Sequence, residues 1–214
     1  MEMILCNHPQ KSSFFLASYP NLSCTKFNYV KVRAVALLPH VTDTPRLEIQ
    51  QSILCGKVQQ AIDQLEQYFP FVLANGPSPP PFARYKADYL PTTSIEPEIL
   101  MLNLRILELI ESCRTIPLPY PPSSPSEPGV EMHSPESYTA ILNKAKKLYA
   151  RAGMLSNRQD QQSFHIELQN VISLLAHKVP EHSSVSHYLA QARRDAVAAE
   201  VNSAILCERT LILE

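Results

Sequence analysis

The most regular feature of the chain is a run of apolar residues with helical spacing between residues 96 and 114, "EPEILMLNLRILELIESCR". Apolar positions recur there at steps of three, four and seven residues, which places them on one face of an α-helix. Further leucines widen this face and leave the charged residues a narrow arc. The face consists of Ile99, Leu102, Ile106, Ile110 and Cys113. A helix that is apolar around most of its circumference is predicted to lie in the middle of a bundle.

A second helical pattern begins near residue 45, with Thr44 as the predicted N-cap and Pro45 at the first helical position. Its apolar stripe consists of Leu47, Leu54, Val58, Ile62, Leu65 and Phe69. Gly56 lies within the pattern, where a glycine costs about 1 kcal/mol relative to alanine. We therefore predict two short helices with a break at Gly56, and Pro70 as the end of the element.

Three more helical stretches are predicted in the last third of the chain. The first opens with Ser134 as its cap and Pro135 in its first turn. The second runs from about Asp160 to Lys178, and the third follows Pro180. In the third stretch the apolar residues point in two nearly opposite directions, with Val185, Tyr188, Leu189, Ala192 and Ala196 in one set and Val197, Val201, Ala204 and Ile205 in the other. This stretch either breaks near Arg193 or is one helix that different neighbours contact along its length.

Two proline-rich stretches separate the helical patterns. Residues 74–95 are predicted to form an exposed insertion, and residues 116–135 a solvated Pro/Ser-rich linker. The sequence "PLPYPP" within the linker also fits an SH3-type ligand, an alternative that the solvated linker outweighs. No strand-like alternation is sustained after residue 45. The chain is therefore predicted to be an all-α bundle of about six to eight helices.

The predicted organisation has five parts. Residues 1–44 have no sustained apolar period and are expected to form an irregular N-terminal segment. The other parts are helices at 45–115 with the insertion at 74–95, the linker at 116–135, helices at 136–208 and a tail at 209–214.

Composition narrows the range of functions. Charged residues make up 18% of the 214 residues and the formal net charge is −1, so neither nucleic acid nor a membrane surface is an expected partner. The four glycines lie far apart, which excludes phosphate-binding loops of the GxGxxG type. Five cysteines without a CxxC spacing indicate a reduced, intracellular protein. We expect no signal peptide and no membrane span, and therefore a cytoplasmic and/or nuclear protein.

No arrangement of reactive side chains predicts a catalytic, metal or cofactor site. The C-terminal histidines are five residues apart, which does not align them on one helix face: His177, His182 and His187. Cys113 completes an apolar stripe and is predicted to be a core residue. A hydrolase that uses Cys113 or these histidines is a third, much weaker reading. Glu200 has no second carboxylate in a pocket-like pattern, so acid–base catalysis has no support.

Two polar features of the last stretch carry further predictions. Arg193 and Arg194 are expected to form a surface ion-pair cluster with Asp195. Asn202 interrupts the apolar sequence "AAEVNSAIL", although asparagine is a mediocre helix former. Our hypothesis is that its amide lies at the rim of a helix-packing site and bonds the backbone of a neighbouring connector. The alternative is an exposed asparagine near the end of the helix.

Three segments resemble one protein family. Residues 46–73, "RLEIQQSILCGKVQQAIDQLEQYFPFVL", resemble the opening of a CTLH domain, with matching positions at Ile49, Ile53, Gly56, Ala61, Ile62, Phe69 and Pro70. The central apolar helix is similar to the next CTLH helix. The C-terminal residues are similar to a CRA segment, with matching positions at Leu174–Leu175–Ala176, Pro180, Ser183, Arg194, Val197, Ala198, Asn202 and Ile205–Leu206. Residues 45–115 would then be CTLH-like and residues 136–208 CRA-like.

The resemblance implies a non-catalytic scaffold in a multisubunit RING-type E3 ubiquitin ligase, and the end of the chain is most similar to the Ran-binding-protein-M branch of the GID/CTLH type. Sister CTLH and RING subunits would be its partners, and the C-terminal helices would support a homo- or heterodimer. No LisH helix pair is visible in residues 1–44 and no SPRY domain precedes them, so we expect exposed apolar surface on the last helices. The implied protein contacts are Val185, Leu189, Val197, Val201, Asn202, Ile205 and Leu206. The alternative function is a stand-alone helical adaptor unrelated to ubiquitin transfer.

Overall fold

The computed structural model describes residues 39–74, 89–92, 94–122 and 138–212. Within these ranges it contains seven α-helices, three short 3₁₀ turns and no β-strand, which confirms the predicted all-α class. The helices are α1 Pro39–Leu54, α2 Val58–Tyr68, α3 Pro70–Leu73, α4 Pro97–Ser112, α5 Tyr138–Ala152, α6 Arg158–Ser173 and α7 Gln191–Ile212. The 3₁₀ turns between α6 and α7 are Leu174–Ala176, Pro180–His182 and Ser186–Leu189.

The central helix α4 is buried on two sides, as its sequence predicts. Its Leu100, Leu104 and Leu107 pack in a first apolar cluster with α1, α2, α3 and α7. Its opposite side packs in a second cluster with α5, α6 and the 3₁₀ turns, through Ile99, Leu102, Ile106, Leu109, Ile110 and Cys113. Since α4 contributes to both clusters, it joins the N-terminal and C-terminal helices into one body.

The apolar residues before and after Arg193 enter different clusters. Val185, Tyr188 and Leu189 pack in or against the second cluster, whereas Val197 and Val201 lie in the first. The 3₁₀ turns end at Leu189 and α7 begins at Gln191, so of the two alternatives the structure shows the break, which lies just before α7. The change in direction of the apolar stripe therefore marks the passage of the chain from one cluster to the other.

The start of the first helix differs from its prediction. Helix α1 begins at Pro39, so residues 39–44 are helical, Thr44 is not an N-cap and Pro45 lies inside the helix. Helix α1 packs along α7, and this tertiary contact outweighs the local signal of Thr44 and Pro45 for a helix start at that point. Leu47 is 54% exposed rather than part of the core, because the break at Gly56 separates its phase from that of α2. The remaining residues of the predicted irregular segment lie outside the described ranges.

The bounds of α6 differ from the predicted range of about Asp160 to Lys178. Helix α6 begins at Arg158 because the Asn157 side chain caps it, with Oδ1 accepting from Gln159 N at 2.8 Å. It ends at Ser173, and the residues up to Lys178 continue as a 3₁₀ turn and bends. The predicted cap at Ser134 and Pro135 lies outside the described residues.

Candidate functional site

The seven predicted partner contacts lie on α7 and on the turns before it. Four of them are buried within the chain's own clusters: Leu189, Val197, Val201 and Ile205. Val185 and Asn202 are half-buried, and Leu206 is 44% exposed. Most of this set therefore stabilises the fold, and its role in binding partners stays a prediction. Leu206 is the member of the set that offers a large apolar surface to the outside.

Asn202 accepts a hydrogen bond from the side chain of Arg46 on α1. Arg46 Nη1 lies 2.7 Å from Asn202 Oδ1, and Arg46 Nε lies 3.6 Å from Asp43 on its own helix. The half-buried position agrees with the predicted rim of a packing site. The predicted partner, the backbone of a connector, is wrong. Helices α1 and α7 run antiparallel in direct contact, so a long side chain on α1 reaches the amide.

Arg194 connects the start of α7 to three other parts of the body. Its Nε and Nη2 donate to the two carboxylate oxygens of Glu111 at 2.9 and 2.7 Å. Its Nη1 donates to the carbonyl oxygens of Leu54 at 3.2 Å and Leu118 at 3.0 Å. Two parallel N–H bonds to one carboxylate fix the orientation of both groups. Arg194 therefore fixes α7 against α4, the C-terminal end of α1 and the connector after α4.

Gly56 provides the space that this arginine needs. Its φ of +78° lies in the left-handed region, and a Cβ there would lie 2.6 Å from Arg194 Nη2. The residue ends the turn after α1, so the guanidinium can approach the exposed carbonyl of Leu54 at the end of that helix. The predicted break at Gly56 is thus also the point where the turn between α1 and α2 contacts the start of α7.

Glu111 is half-buried and has two cationic partners. Burial by itself raises the pKa of its carboxyl, but the hydrogen bonds from Arg194 and Arg114 lower the pKa below its usual value. Arg114 Nε lies 2.9 Å from Glu111 Oε2, and its Nη2 donates to the Leu189 carbonyl at 2.7 Å. The ionised Glu111 therefore joins α4, α7 and the last 3₁₀ turn.

The first part of the predicted solvated linker is bound to the body. Glu181 accepts from the backbone N–H groups of Thr115 and Ile116 at 2.7 and 2.8 Å and from the Thr115 hydroxyl at 2.7 Å. The Leu118 carbonyl accepts from Arg194, and the Tyr120 carbonyl accepts from the Cys55 thiol. The backbone is held through these groups although several side chains of the stretch are exposed. Residues 123–137 lie outside the described ranges.

Arg193 and Arg194 are not the surface cluster that the sequence predicts. Arg193 is 2% exposed; its Nη1 lies 2.7 Å from Glu167 Oε1 and donates to the carbonyl of Tyr89. Burial lowers the pKa of Arg193 and raises the pKa of Glu167, because loss of hydration outweighs the attraction within the pair. The partners come from α6 and from the end of the insertion. No local pattern in the sequence could place these partners beside Arg193.

A third buried polar group joins α4, α7 and the end of the insertion. Asn103 Nδ2 lies 3.1 and 2.9 Å from the two carboxylate oxygens of Glu200, and it also donates to the Thr92 carbonyl at 3.1 Å. The backbone N–H of Ser94 donates to Glu200 Oε1 at 3.1 Å. Burial raises the pKa of Glu200 to about 7 in spite of these bonds. The sequence pattern did not predict this group, and its signal was Asn103, a polar residue between Leu102 and Leu104 of α4.

The matched sequence blocks and the contacts between them now allow a comparison with known families. A family model described as "CTLH/CRA C-terminal to LisH motif domain" matches residues 44–209. The chain belongs to the CTLH/CRA family. No curated protein and no solved structure gives a match to it. In this CTLH/CRA protein, the pattern positions Gly56 and Arg194 come from the first and last family blocks and are in direct contact.

The cysteine and histidine side chains that the sequence offered for chemistry lie apart in the CTLH/CRA body, one in the core and three on the surface. Cys113 is buried in the second cluster, which confirms it as a core residue. His177, His182 and His187 are exposed. Among the described residues, no three His, Cys, Asp or Glu side chains form a group that could hold a metal ion.

Two open grooves lie on the described surface. The first runs along the outer side of α1 and is lined by Thr44, Leu47, Glu48, Gln50, Gln51, Leu54 and Tyr120. The second lies beside the connector, where Ile116, Leu118 and Glu181 meet the last 3₁₀ turn. Both grooves combine apolar and polar groups on an open face, a form that suits contact with a protein surface better than enclosure of a small substrate.

A helix that crosses a lipid bilayer needs a long and continuous apolar run. Within residues 39–74, 97–112 and 138–212, no helix has the length and apolar character to cross one.

Proposed function

We propose that this CTLH/CRA chain is a non-catalytic scaffold or adaptor subunit of a multisubunit E3 ubiquitin ligase of the GID/CTLH type, in the Ran-binding-protein-M branch. Its partners are sister CTLH and RING subunits, and its C-terminal helices support a homo- or heterodimer. It acts in the cytoplasm and/or the nucleus. Ubiquitin transfer belongs to its partners.

The family match over residues 44–209 carries this proposal. CTLH/CRA domains are protein-interaction modules rather than catalytic ones, and they often occur in E3 ligase complexes. The fold is consistent with such a role, because α4 joins the two apolar clusters into one body that leaves apolar side chains on its outside. Leu206 on α7 and Ile166 on α6 are exposed examples.

Affinity purification from the cells that make the protein tests the proposal. The chain carries an affinity tag, and the proteins that co-purify are identified and quantified by mass spectrometry. We expect RING-domain and CTLH-domain proteins in amounts comparable to the tagged chain. Repeated recovery of other partners without any RING-domain protein would favour the stand-alone adaptor instead.

A pair of matched surface variants tests the C-terminal contact. Leu206→Asp places a charge on the exposed part of α7, and Met154→Asp places the same charge on a residue that is 81% exposed and lies outside the predicted contacts. We expect Leu206→Asp to reduce recovery of sister subunits about tenfold or more, which corresponds to about 1.4 kcal/mol, and Met154→Asp to leave recovery unchanged. Equal recovery with both variants would remove Leu206 from the interface.

A further inference from the structure

The end of the proline-rich insertion is fastened to the body by buried side chains. We define the return segment as residues 89–92 and 94–96, the chain that leads from the insertion into α4. Its Leu90 is buried in the first cluster. Three of its backbone groups are bonded by the body: the Tyr89 carbonyl by Arg193, the Thr92 carbonyl by Asn103 and the Ser94 N–H by Glu200. The return segment has no helical bonds of its own before α4, and these side chains of the body bond three of its backbone groups.

Glu200 differs from Glu111 and Glu167 in the groups that face it. Glu111 and Glu167 each lie 2.7 Å from an arginine nitrogen, whereas no cation lies within ion-pair distance of Glu200 in the described part of the chain. Its hydrogen-bond donors are neutral, namely the Asn103 amide of α4 and the backbone N–H of Ser94. The Oδ1 atom of Asn103 is itself buried and has no hydrogen-bond partner among the described residues.

Other charged groups act on Glu200 only from a greater distance. Arg193, on the same helix, is the cation whose charge favours the ionised carboxylate. That arginine is already paired with Glu167 of α6, and it also interacts electrostatically with Tyr188 of the last 3₁₀ turn. Burial of the ionised carboxylate therefore costs more free energy than the hydrogen bonds from its neutral donors and the attraction of the shared arginine supply.

We propose that Glu200 makes docking of the return segment proton-dependent, so that the segment is held most firmly while Glu200 is neutral and is loosened when Glu200 loses its proton. Lifting of the segment would hydrate the carboxylate and expose the part of the first apolar cluster that Leu90 covers. Loss of the proton would therefore change the surface of the body where the return segment docks. It rests on these contacts alone and does not depend on the ubiquitin-ligase role.

The sign and size of the effect follow from proton linkage. The pKa of Glu200 is about 7 with the segment docked, and 4.5 is its ordinary value in water. The docked state thus binds the proton more tightly, and its extra stability is complete below about pH 4.5 and is lost as the pH rises through about 7. If lifting of the segment hydrates the carboxylate fully, linkage with these two values gives an increase of up to about tenfold in the opening equilibrium of the segment between about pH 6 and pH 8.

Hydrogen–deuterium exchange of the return segment tests this proposal. Exchange is followed by mass spectrometry on the full chain at about pH 6 and pH 8, and protection factors are corrected for the intrinsic pH dependence of exchange. In the wild type we expect protection of the return segment to fall by up to about tenfold from the lower to the higher pH. In Glu200→Gln, which keeps an oxygen acceptor but cannot ionise, we expect protection that does not change with pH.

Asp195→Asn is the matched control, since Asp195 is an exposed carboxylate on the same helix. It should retain the wild-type pH dependence. Wild-type protection that is constant between the two pH values, or the same dependence in Glu200→Gln, would overturn the proposal. If Glu200→Gln does not fold, the carboxyl ¹³C resonance of Glu200 in the wild type decides: titration near pH 7 supports the proposal, and titration completed below about pH 5.5 contradicts it.

Discussion

At the scale of single residues, the contact between Gly56 and Arg194 gives the sharpest prediction. Gly56→Ala adds a Cβ at a φ of +78° and places it 2.6 Å from Arg194 Nη2. We expect a loss of about 2 kcal/mol or more in the free energy of unfolding, from the left-handed backbone and from displacement of the guanidinium. Chemical denaturation measures this loss.

Gly153→Ala is the matched control for this substitution. The nearest atom to its added Cβ lies at 3.4 Å, and its φ is not in the left-handed region. Its free energy of unfolding should change by less than about 1 kcal/mol. Similar losses in both variants would mean that the approach of Arg194 does not constrain residue 56.

The ion pair of Arg194 and Glu111 gives a prediction with a defined pH dependence. Arg194→Gln leaves Glu111 with Arg114 as its remaining cation, so we expect a loss of about 2 to 4 kcal/mol at pH 7. The pKa of Glu111 is lowered in the fold, so its contribution is present above about 4.5 and is lost as the pH falls through the lowered value. The difference between wild type and variant should therefore shrink in acid. A difference that stays constant from pH 7 to pH 3 would contradict this account.

At the scale of elements, the packing of α7 on α1 is open to a direct test through Arg46 and Asn202. A double-mutant cycle with Arg46→Met and Asn202→Leu isolates their hydrogen bond of 2.7 Å from the other effects of each change. We expect a coupling energy of about 1 kcal/mol, since a half-buried bond from a charged donor is modest in value. A coupling near zero would mean that the amide does not help to dock the last helix.

The elements also show which parts of the fold could be read from the sequence. The stripe of α4 predicted its central position, because apolar periodicity reports burial directly. The change in direction near Arg193 predicted either a break or different neighbours along one helix, and the structure shows the break before α7. The start of α1 could not be predicted. Thr44 and Pro45 gave a local signal for a helix start. The packing of α1 on α7 that overrides this signal joins residues more than a hundred positions apart.

The polar contacts were harder to predict for a related reason. Arg193 and Arg194 looked like surface residues because their partners, Glu167 and Glu111, lie on other helices at unrelated positions in the sequence. A charge is recognised as buried only when its partner is known. Gly56 and Arg194 are both among the positions that carry the family resemblance. The resemblance did not show that these two residues are in contact.

At the scale of the whole molecule, the described helices form one body with α4 at its centre. The polar contacts of Arg193, Arg194 and Glu200 fasten α7, the connector and the return segment to that body. A scaffold requires such a body, because a partner bound at one surface is positioned relative to another only if the elements between them are rigid. This connects the buried contacts of the chain with the proposed role in assembly.

The size of the RING subunit's native complex is the most direct test of that role. Extracts of cells with and without the chain are compared by size-exclusion chromatography, and the RING-domain protein that co-purifies with the chain is followed across the fractions. A scaffold predicts that this protein shifts to a smaller complex when the chain is removed, and that it returns to the larger complex when the wild-type chain is restored. An elution position that is the same with and without the chain would contradict the account.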